Sequence, residues 1–322
     1  MIAMMSCRKF SRSLGLAILA LIAGAGFSAA QTVVTMTDPV GFSRVPVAAG
    51  GGVVAPVLVK AAVYSGTATV TGQRFSASGL TPNTYGPTSY SNRPNAARYY
   101  VEITSGSYAG HNFDVTANAS NSITVSGLPA ELDGQTNVTI TLRPHTTLGD
   151  LASAAGGLAN YSDSFTVYKP GNAKDLYIYT GSGVVGDDYV TPCSHIAVYP
   201  GTGILLNNSF AASFSFSGTV KTNPTVVPIR AGESLLAPLD PQGGVRMSAL
   251  NIAPVLDPYS DTVSLVSTSG NLGITSFYSD GSGLLDENYN PLSSNNAPAV
   301  TAGNGFIINT GNDRKWTNLP AF

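Results

Sequence analysis

Cys193 and His195 stand two positions apart, and a thiol beside an imidazole is the pairing from which a nucleophile with its base, or a metal site, can be built. On a strand that spacing places both side chains on one face. Neighbours on one strand do not supply an attack geometry by themselves, and the other histidines, His111 and His145, lie far off in sequence. The pair therefore reads as structural. Carboxylates offer a second chemistry: GDDY (186–189) and DENY (286–289) occupy matching places in two similar segments. Asp187, Asp188, Asp286 and Glu287, with Asp280 and Ser282 nearby, make the oxygen-rich turns that calcium prefers. An EF-hand template fails here, because Leu284 and Leu285 fall where oxygen ligands are needed. Calcium, set against a plain solvated turn, is the one cofactor the sequence suggests. Paired carboxylates could also hydrolyse glycosides, provided that the two turns converge on one cleft. A third group lies in LTPNTYGPTSYSNRPNAARYY (80–100), where Tyr85, Tyr90 and Arg93 sit among prolines and asparagines. Tyrosines on a stiff loop suit stacking on a sugar or a surface protein, with Tyr99 and Tyr100 beginning a strand.

The elements that must hold these residues are strands. ATVTGQRFSASG (68–79), YYVEITSG (99–106), HNFDVTANASNSITVSG (111–127) and NVTITLRP (137–144) alternate β-branched or aromatic residues with polar ones and end at Gly, Asn or Pro. Helical periodicity is confined to TTLGDLASAAGGLAN (146–160), where Thr146 or Thr147 can cap one or two turns. Ahead of all this, Arg8, Lys9 and Arg12 precede the apolar run LGLAILALIAGAGF and a Ser-Ala-Ala step, the pattern of a secretory signal peptide over residues 1–30. That run is too short for a spanning helix, so no membrane span is expected after cleavage. Cleavage removes Cys7 and leaves Cys193 without an intrachain disulfide partner, and Cys7 is misplaced for a lipid anchor. It also leaves 13 basic against 18 acidic side chains, with no basic cluster to neutralise phosphates, which argues against nucleic acid. A terminal Phe322 invites comparison with outer-membrane barrels, but DRKWTNLPAF does not alternate and Pro320 interrupts it.

Internal repetition sets the architecture. VPVAAGGGVVAPV (45–57) recurs as VPIRAGESLLAPL (227–239). YSDSFTVYKPGNAKDLYIYTGSGVVGDDY (161–189) parallels YSDTVSLVSTSGNLGITSFYSDGSGLLDENY (259–289), and GTGILLNN (201–208) parallels GNGFIINT (303–310). The first match is offset by 182 residues and the later ones by only 98 to 102, so the first copy carries about 84 extra residues between Lys60 and His145. The expectation is an all-β chain: a duplicated antiparallel β-sandwich or barrel-like body with a small inserted β-module. Its parts are a first repeat over 31–60 plus 145–218, an insertion over 61–144 and a second repeat over 219–322, packed on each other or strung as beads.

TDPVGFSRVPVAAG (37–50), ARYYVEITSGSYAGHNFDVTANASNSITVSG (97–127), TTLGDL (146–151) and AGNGFIINTG (302–311) resemble an uncharacterised family of exported β-rich proteins of Verrucomicrobia-type bacteria. Where that family carries an arginine pair after the late glycine motif, Asn309-Thr310 stands here. The resemblance implies a secreted bacterial protein and brings no catalytic residues, because the family has no assigned activity. Together these features lead to an exported, non-enzymatic structural or interaction protein of the envelope or outer surface. A carbohydrate-binding module using the insertion, and a secreted hydrolase, stand as alternatives.

Overall fold

The computed structural model describes residues 39–266 and 274–320; the signal peptide expected over 1–30 and the terminal Phe322 lie outside the described residues. The chain folds as β1 (Val40–Val47) and β2 (Gly52–Val54), then β3 (Tyr64–Thr71), β4 (Arg74–Ser76), β5 (Thr88–Tyr90), β6 (Arg93–Ala96), β7 (Tyr99–Ile103), β8 (Asn112–Ala119), β9 (Ser122–Val125) and β10 (Val138–Pro144). Next come β11 (Thr146–Thr147), helix α1 (Leu148–Ala154), β12 (Ala155–Gly156), β13 (Ser164–Tyr168), β14 (Lys174–Tyr179), β15 (Val184–Gly186), β16 (Ala197–Val198), β17 (Ile204–Asn207) and β18 (Ala212–Thr219). The last third supplies β19 (Thr225–Ile229), β20 (Gly232–Leu236), β21 (Val245–Arg246), β22 (Thr262–Val266), β23 (Ile274–Ser279), β24 (Leu284–Leu285), β25 (Ala299–Val300), β26 (Phe306–Thr310) and β27 (Arg314–Asn318). The fold is all-β. Its α-helix is closed by a capping box in which Thr147 accepts from the Asp150 backbone and Asp150 accepts from that of Thr147. Among the described residues no helix is long and apolar enough to cross a membrane.

The duplication is visible in the strand order. One five-stranded sheet runs β15-β14-β13-β17-β2, and a second runs β24-β23-β22-β26-β20, the same order built from the repeated segments. Each is faced by a smaller antiparallel sheet, β1 on β18 in one half and β19 on β27 in the other. Between the sheets lies a core: Val45, Val47, Phe214 and Phe216 with Phe165 and Leu206 in the first half, and Val227, Ile229 and Trp316 with Val263, Phe306 and Ile308 in the second. The repeated Pro46 and Pro228 sit exposed on β1 and β19, which are edge strands, so the missing N–H breaks no ladder.

A smaller apolar cluster joins the halves: Val53, Leu235, Val266 and Ile307 are buried together, with Tyr168 and Leu205 against them. At roughly 1.5–3 kcal/mol for each fully buried aliphatic side chain, these four contribute on the order of 10 kcal/mol. The halves are thus packed on each other and are not beads on a string. Their contacts are reciprocal. Ala55 N–H donates to Gly303 O at 2.9 Å, and the matching Ala237 N–H donates to Gly201 O at 3.0 Å. Gly201 and Gly303, at φ 83° and 74°, lie so close to Val227 and Val45 of the opposite half that a Cβ on either would overlap the valine.

The stretch between β2 and β11 closes on itself as a barrel in the order β10-β3-β4-β9-β8-β7. Val70, Phe75, Val101, Ile103, Ile123 and Ile140 fill its interior while alternate residues face outward, as β3 shows with Ala68 and Val70 buried and Thr67, Thr69 and Thr71 exposed. Apolar-in and polar-out is the inverse of a lipid-embedded barrel. Closure leaves no unpaired edge in the barrel wall. The barrel is tied to the body by buried charge: Glu102 on β7 pairs with Lys221 and with Arg143, 3.4 Å away, all three nearly inaccessible. Burial pulls the Lys221 ammonium below its ordinary value even with Glu102 pulling the other way. A backbone bond from Val226 N–H to Gly110 O, at 2.9 Å, adds a second tie near the start of the second repeat.

Candidate functional site

One hairpin of the insertion, β5 and β6, lies outside the barrel order and reaches onto the first repeat. Tyr90 stacks on His195 with ring centroids 3.7 Å apart and planes 11° from parallel. Asn92 donates to Pro192 O at 3.1 Å and lies 3.6 Å from the Cys193 sulfur. These contacts fix the next residue, Arg93. It forms part of the wall of a cavity of about 260 Å³ whose other walls come from both repeats. The first repeat contributes Tyr168, Lys169, Tyr177 and Tyr199, and the second contributes Arg230, Glu233, Leu235 and Leu236. The volume falls just short of the roughly 300 Å³ at which ligand pockets usually begin, which suits one compact ring.

Most of the charge around this cavity is matched. Lys169 pairs with Asp175, Lys174 with Glu233 at 2.7 Å, and Arg230 with Asp313 at 2.7 Å. Arg93 acts electrostatically on Asp114, helping to hold that carboxyl below its usual range, and on the phenols of Tyr177 and Tyr199, which it pulls down. The tyrosine hydroxyls are committed: Tyr177 donates to Asp175 at 2.9 Å, and Tyr199 donates to Asp114 at 2.7 Å. Burial and these carboxylates together push both phenols up from their ordinary value. Asp114 also accepts from His145 Nε2 at 3.0 Å, and His145 is buried against the rings of Tyr100 and Tyr199. Burial works against the Asp114 charge, but the His145 and Tyr199 hydrogen bonds, with the positive charge of Arg93, outweigh it and hold the carboxyl below the usual range. Arg93 and Asp114 also line a second hollow, of about 390 Å³, on the barrel side with Asn95, Thr116 and Ser126.

The expected residues meet different fates. Arg93 lines the cavity, Tyr90 does not line it and is stacked on His195 instead, and Tyr85 does not face solvent. It is 8% exposed in the barrel core, edge-on to Tyr99 at 5.4 Å, because Asn118 accepts from its backbone N–H and donates to Thr81 O, pulling the loop inward. Cys193 and His195 lie in a turn and not on a strand, with Ile196 N–H bonded to Cys193 O. Cys193 is buried, and burial raises its thiol above the ordinary value. The acidic turns use their carboxylates locally. Asp188 accepts from the backbone of Val190 and Thr191, Asp286 from Asn288 and Asn290, and Asp280 from Ser282 and Gly283. Those bonds keep all three acids below the usual carboxylate range. Asp187 and Glu287 are exposed beside them. Among the described residues no three His, Cys, Asp or Glu side chains converge as metal ligands, so the calcium reading of these turns gains no ligand set. The turns follow β15 and β24, each at the sheet edge opposite the β2 and β20 strands where the halves meet, so they do not form the shared cleft that paired-carboxylate hydrolysis needs.

Beside Glu102, two further buried acids escaped the sequence reading. Asp163 accepts from Ala159 N and Ser209 N, both at 2.8 Å, and its counterpart Asp261 accepts from Asp257 N at 2.9 Å and Gly311 N at 3.1 Å. Their signal was the repeated Tyr-Ser-Asp triplet. No family model, no curated protein and no solved structure matches this chain.

Proposed function

We propose that this chain is an exported, non-enzymatic binding protein of the bacterial envelope or outer surface, taking its ligand in the cavity where the hairpin of the insertion meets both repeats. The observation that carries the reading is the cavity itself, whose wall combines Arg93 of the insertion with Tyr168, Tyr177 and Tyr199 of the first repeat and Arg230 and Leu235 of the second. A cavity bounded by three parts couples ligand binding to their packing, so a bound ligand stabilises the whole body by mass action. The ligand class suited to tyrosine rings beside a cation is a glycan, with Arg93 as the residue of the insertion that reaches it and Tyr168, Tyr177 and Tyr199 as the rings. Glycan binding then belongs to the junction and not to the insertion alone.

The test is calorimetry and thermal unfolding of residues 31–322 with a panel of cell-surface glycans. At least one glycan raises Tm, and Arg93→Ala lowers its affinity tenfold or more while leaving the unliganded Tm within about 2 °C, as expected for an exposed side chain. A glycan bound with equal affinity by the Arg93→Ala variant argues for a site elsewhere.

A further inference from the structure

We infer that the exposed tyrosines of the repeats are stacking surfaces for an uncharged polysaccharide, the stronger one built by Tyr259, Tyr278 and Tyr289 in the second repeat. This goes beyond the cavity reading and does not depend on it. The Tyr289 ring is 5.2 Å from Tyr278 at 27° and 6.3 Å from Tyr259 at 46°, so the three make one continuous aromatic surface. It lies at the β24 edge of the sheet, the edge away from β20: Tyr278 is on β23, Tyr289 follows β24, and Tyr259 N–H donates to Ser279 O at 2.8 Å.

Packing does not account for these residues. Among the described residues the other non-glycine positions at positive φ are Asn83, Asn95, Asn137, Asn172 and Asn251, the residue type such turns favour. Tyrosine stands there at Tyr161, Tyr189, Tyr259 and Tyr289, each with most of its surface in solvent. A clasp between rings is no explanation either, because Tyr161 and Tyr189 share the strained backbone and touch no other ring among the described residues. Strain kept at a solvent-facing side chain points to a contact made outside the chain. In the first repeat Ile178, which pairs with Ser164 as Tyr278 pairs with Thr262, replaces the third ring, and its two tyrosines form the weaker surface.

The surroundings select the occupant. No Lys, Arg or His occurs between residues 251 and 300, and the turns around the rings carry Asp280, Asp286 and Glu287, so an anionic chain is repelled. Rings that touch one another leave no cage for an ammonium, the arrangement a cationic ligand uses. Between residues 257 and 292 the exposed large hydrophobic side chains among the described residues are Tyr259 and Tyr289, with Ser260, Ser282, Asn288 and Asn290 exposed nearby. That is too little apolar surface for the core of a protein interface, which covers about 800 Å² on each partner. Aromatic faces among neutral hydrogen-bonding groups match a pyranose chain whose hydroxyls are equatorial and whose C–H faces are flat.

The experiment is isothermal calorimetry on residues 31–322 with cellohexaose, xylohexaose and hexagalacturonate. At least one neutral hexaose binds tenfold or more tightly than hexagalacturonate. Tyr259→Asn combined with Tyr289→Asn removes two rings, keeps a residue type suited to both turns, and lowers that affinity about tenfold while the chain still unfolds cooperatively on heating. Tyr259→Phe combined with Tyr289→Phe, which keeps the rings, stays within about twofold of the native chain. Tyr161→Asn combined with Tyr189→Asn has a smaller effect than the matching pair in the second repeat. Unchanged affinity after the Tyr259→Asn and Tyr289→Asn changes overturns the inference, as does the absence of binding by either neutral hexaose. Hexagalacturonate bound as tightly as the neutral chains overturns the choice of an uncharged ligand. Self-association of the native chain in sedimentation, abolished by the same two substitutions and without sugar binding, makes the surface a contact between copies and also overturns it. The cavity is tested separately by Arg93→Ala, so the failure of either reading leaves the other standing.

Discussion

Tyr161, Tyr189, Tyr259 and Tyr289 hold φ of 56°, 60°, 58° and 61°, a backbone region in which a bulky L-residue is an outlier. They occupy two matching places in each repeat, and all four rings are more than half exposed. The left-handed conformation costs roughly 1–2 kcal/mol for such a residue. It is imposed at Tyr161 and Tyr259 by the carboxylates two residues on: Asp163 and Asp261 are nearly inaccessible and each bridges two backbone N–H groups on separate segments. The aspartate fixes the turn and the tyrosine tolerates it. Asparagine adopts that conformation more readily, so Tyr161→Asn is expected to stabilise the protein by about 1 kcal/mol, seen as a Tm rise of roughly 2–4 °C. An unchanged or lowered Tm shows that the Tyr161 ring contributes as much as the backbone strain takes away. None of this was legible from composition, because tyrosine has no preference for positive φ.

At the scale of elements, alternation was enough to find the strands and repetition enough to find their order. Each quoted alternating stretch in the insertion is one strand or one hairpin of the barrel, and the same five-strand order in both repeats follows the sequence matches. The failures share a cause. Tyr85 sits in a loop where no periodicity reports burial, and its inward turn depends on Asn118, 33 residues on. Cys193 and His195 look like a strand pair until the turn at Ile196 is known. Packing between the halves leaves no local signature either: Gly201 and Gly303 read as turn glycines, yet each is also the point where the opposite repeat's valine comes closest. Gly303→Ala combines an unfavourable φ with overlap onto Val45, so a loss of about 2–3 kcal/mol is expected in urea unfolding, with Gly201→Ala matching it through Val227. A cost for one variant only would break the equivalence of the two contacts.

For the molecule as a whole, the barrel depends on the buried Glu102, Lys221 and Arg143 cluster where it meets the body. Removing one member of a buried pair typically costs about 3–5 kcal/mol, because the survivor keeps its desolvation penalty. Lys221→Met is expected at the lower end, about 3 kcal/mol by urea unfolding, since Arg143 still faces Glu102. A loss below about 1 kcal/mol, the level of an exposed pair, indicates that Arg143 alone neutralises Glu102.

The reciprocal contacts also set a timetable for folding. Val45 near the start of the body is packed by Gly303 near its end, and Ala55 waits for the same glycine to accept its N–H. The contacts to Gly303 span most of the chain, whereas those of Gly201 with Val227 and Ala237 are closer in sequence, and the long ones raise the contact order of the body and slow its folding. A ribosome delivers the first repeat long before the second, so until the last strands arrive, Val53 on β2 lacks Leu235, Val266 and Ile307 against it. The inserted barrel suffers no such delay. Its six strands close within residues 64–144, so it can form first and stand as a finished unit against which the slower duplicated body assembles.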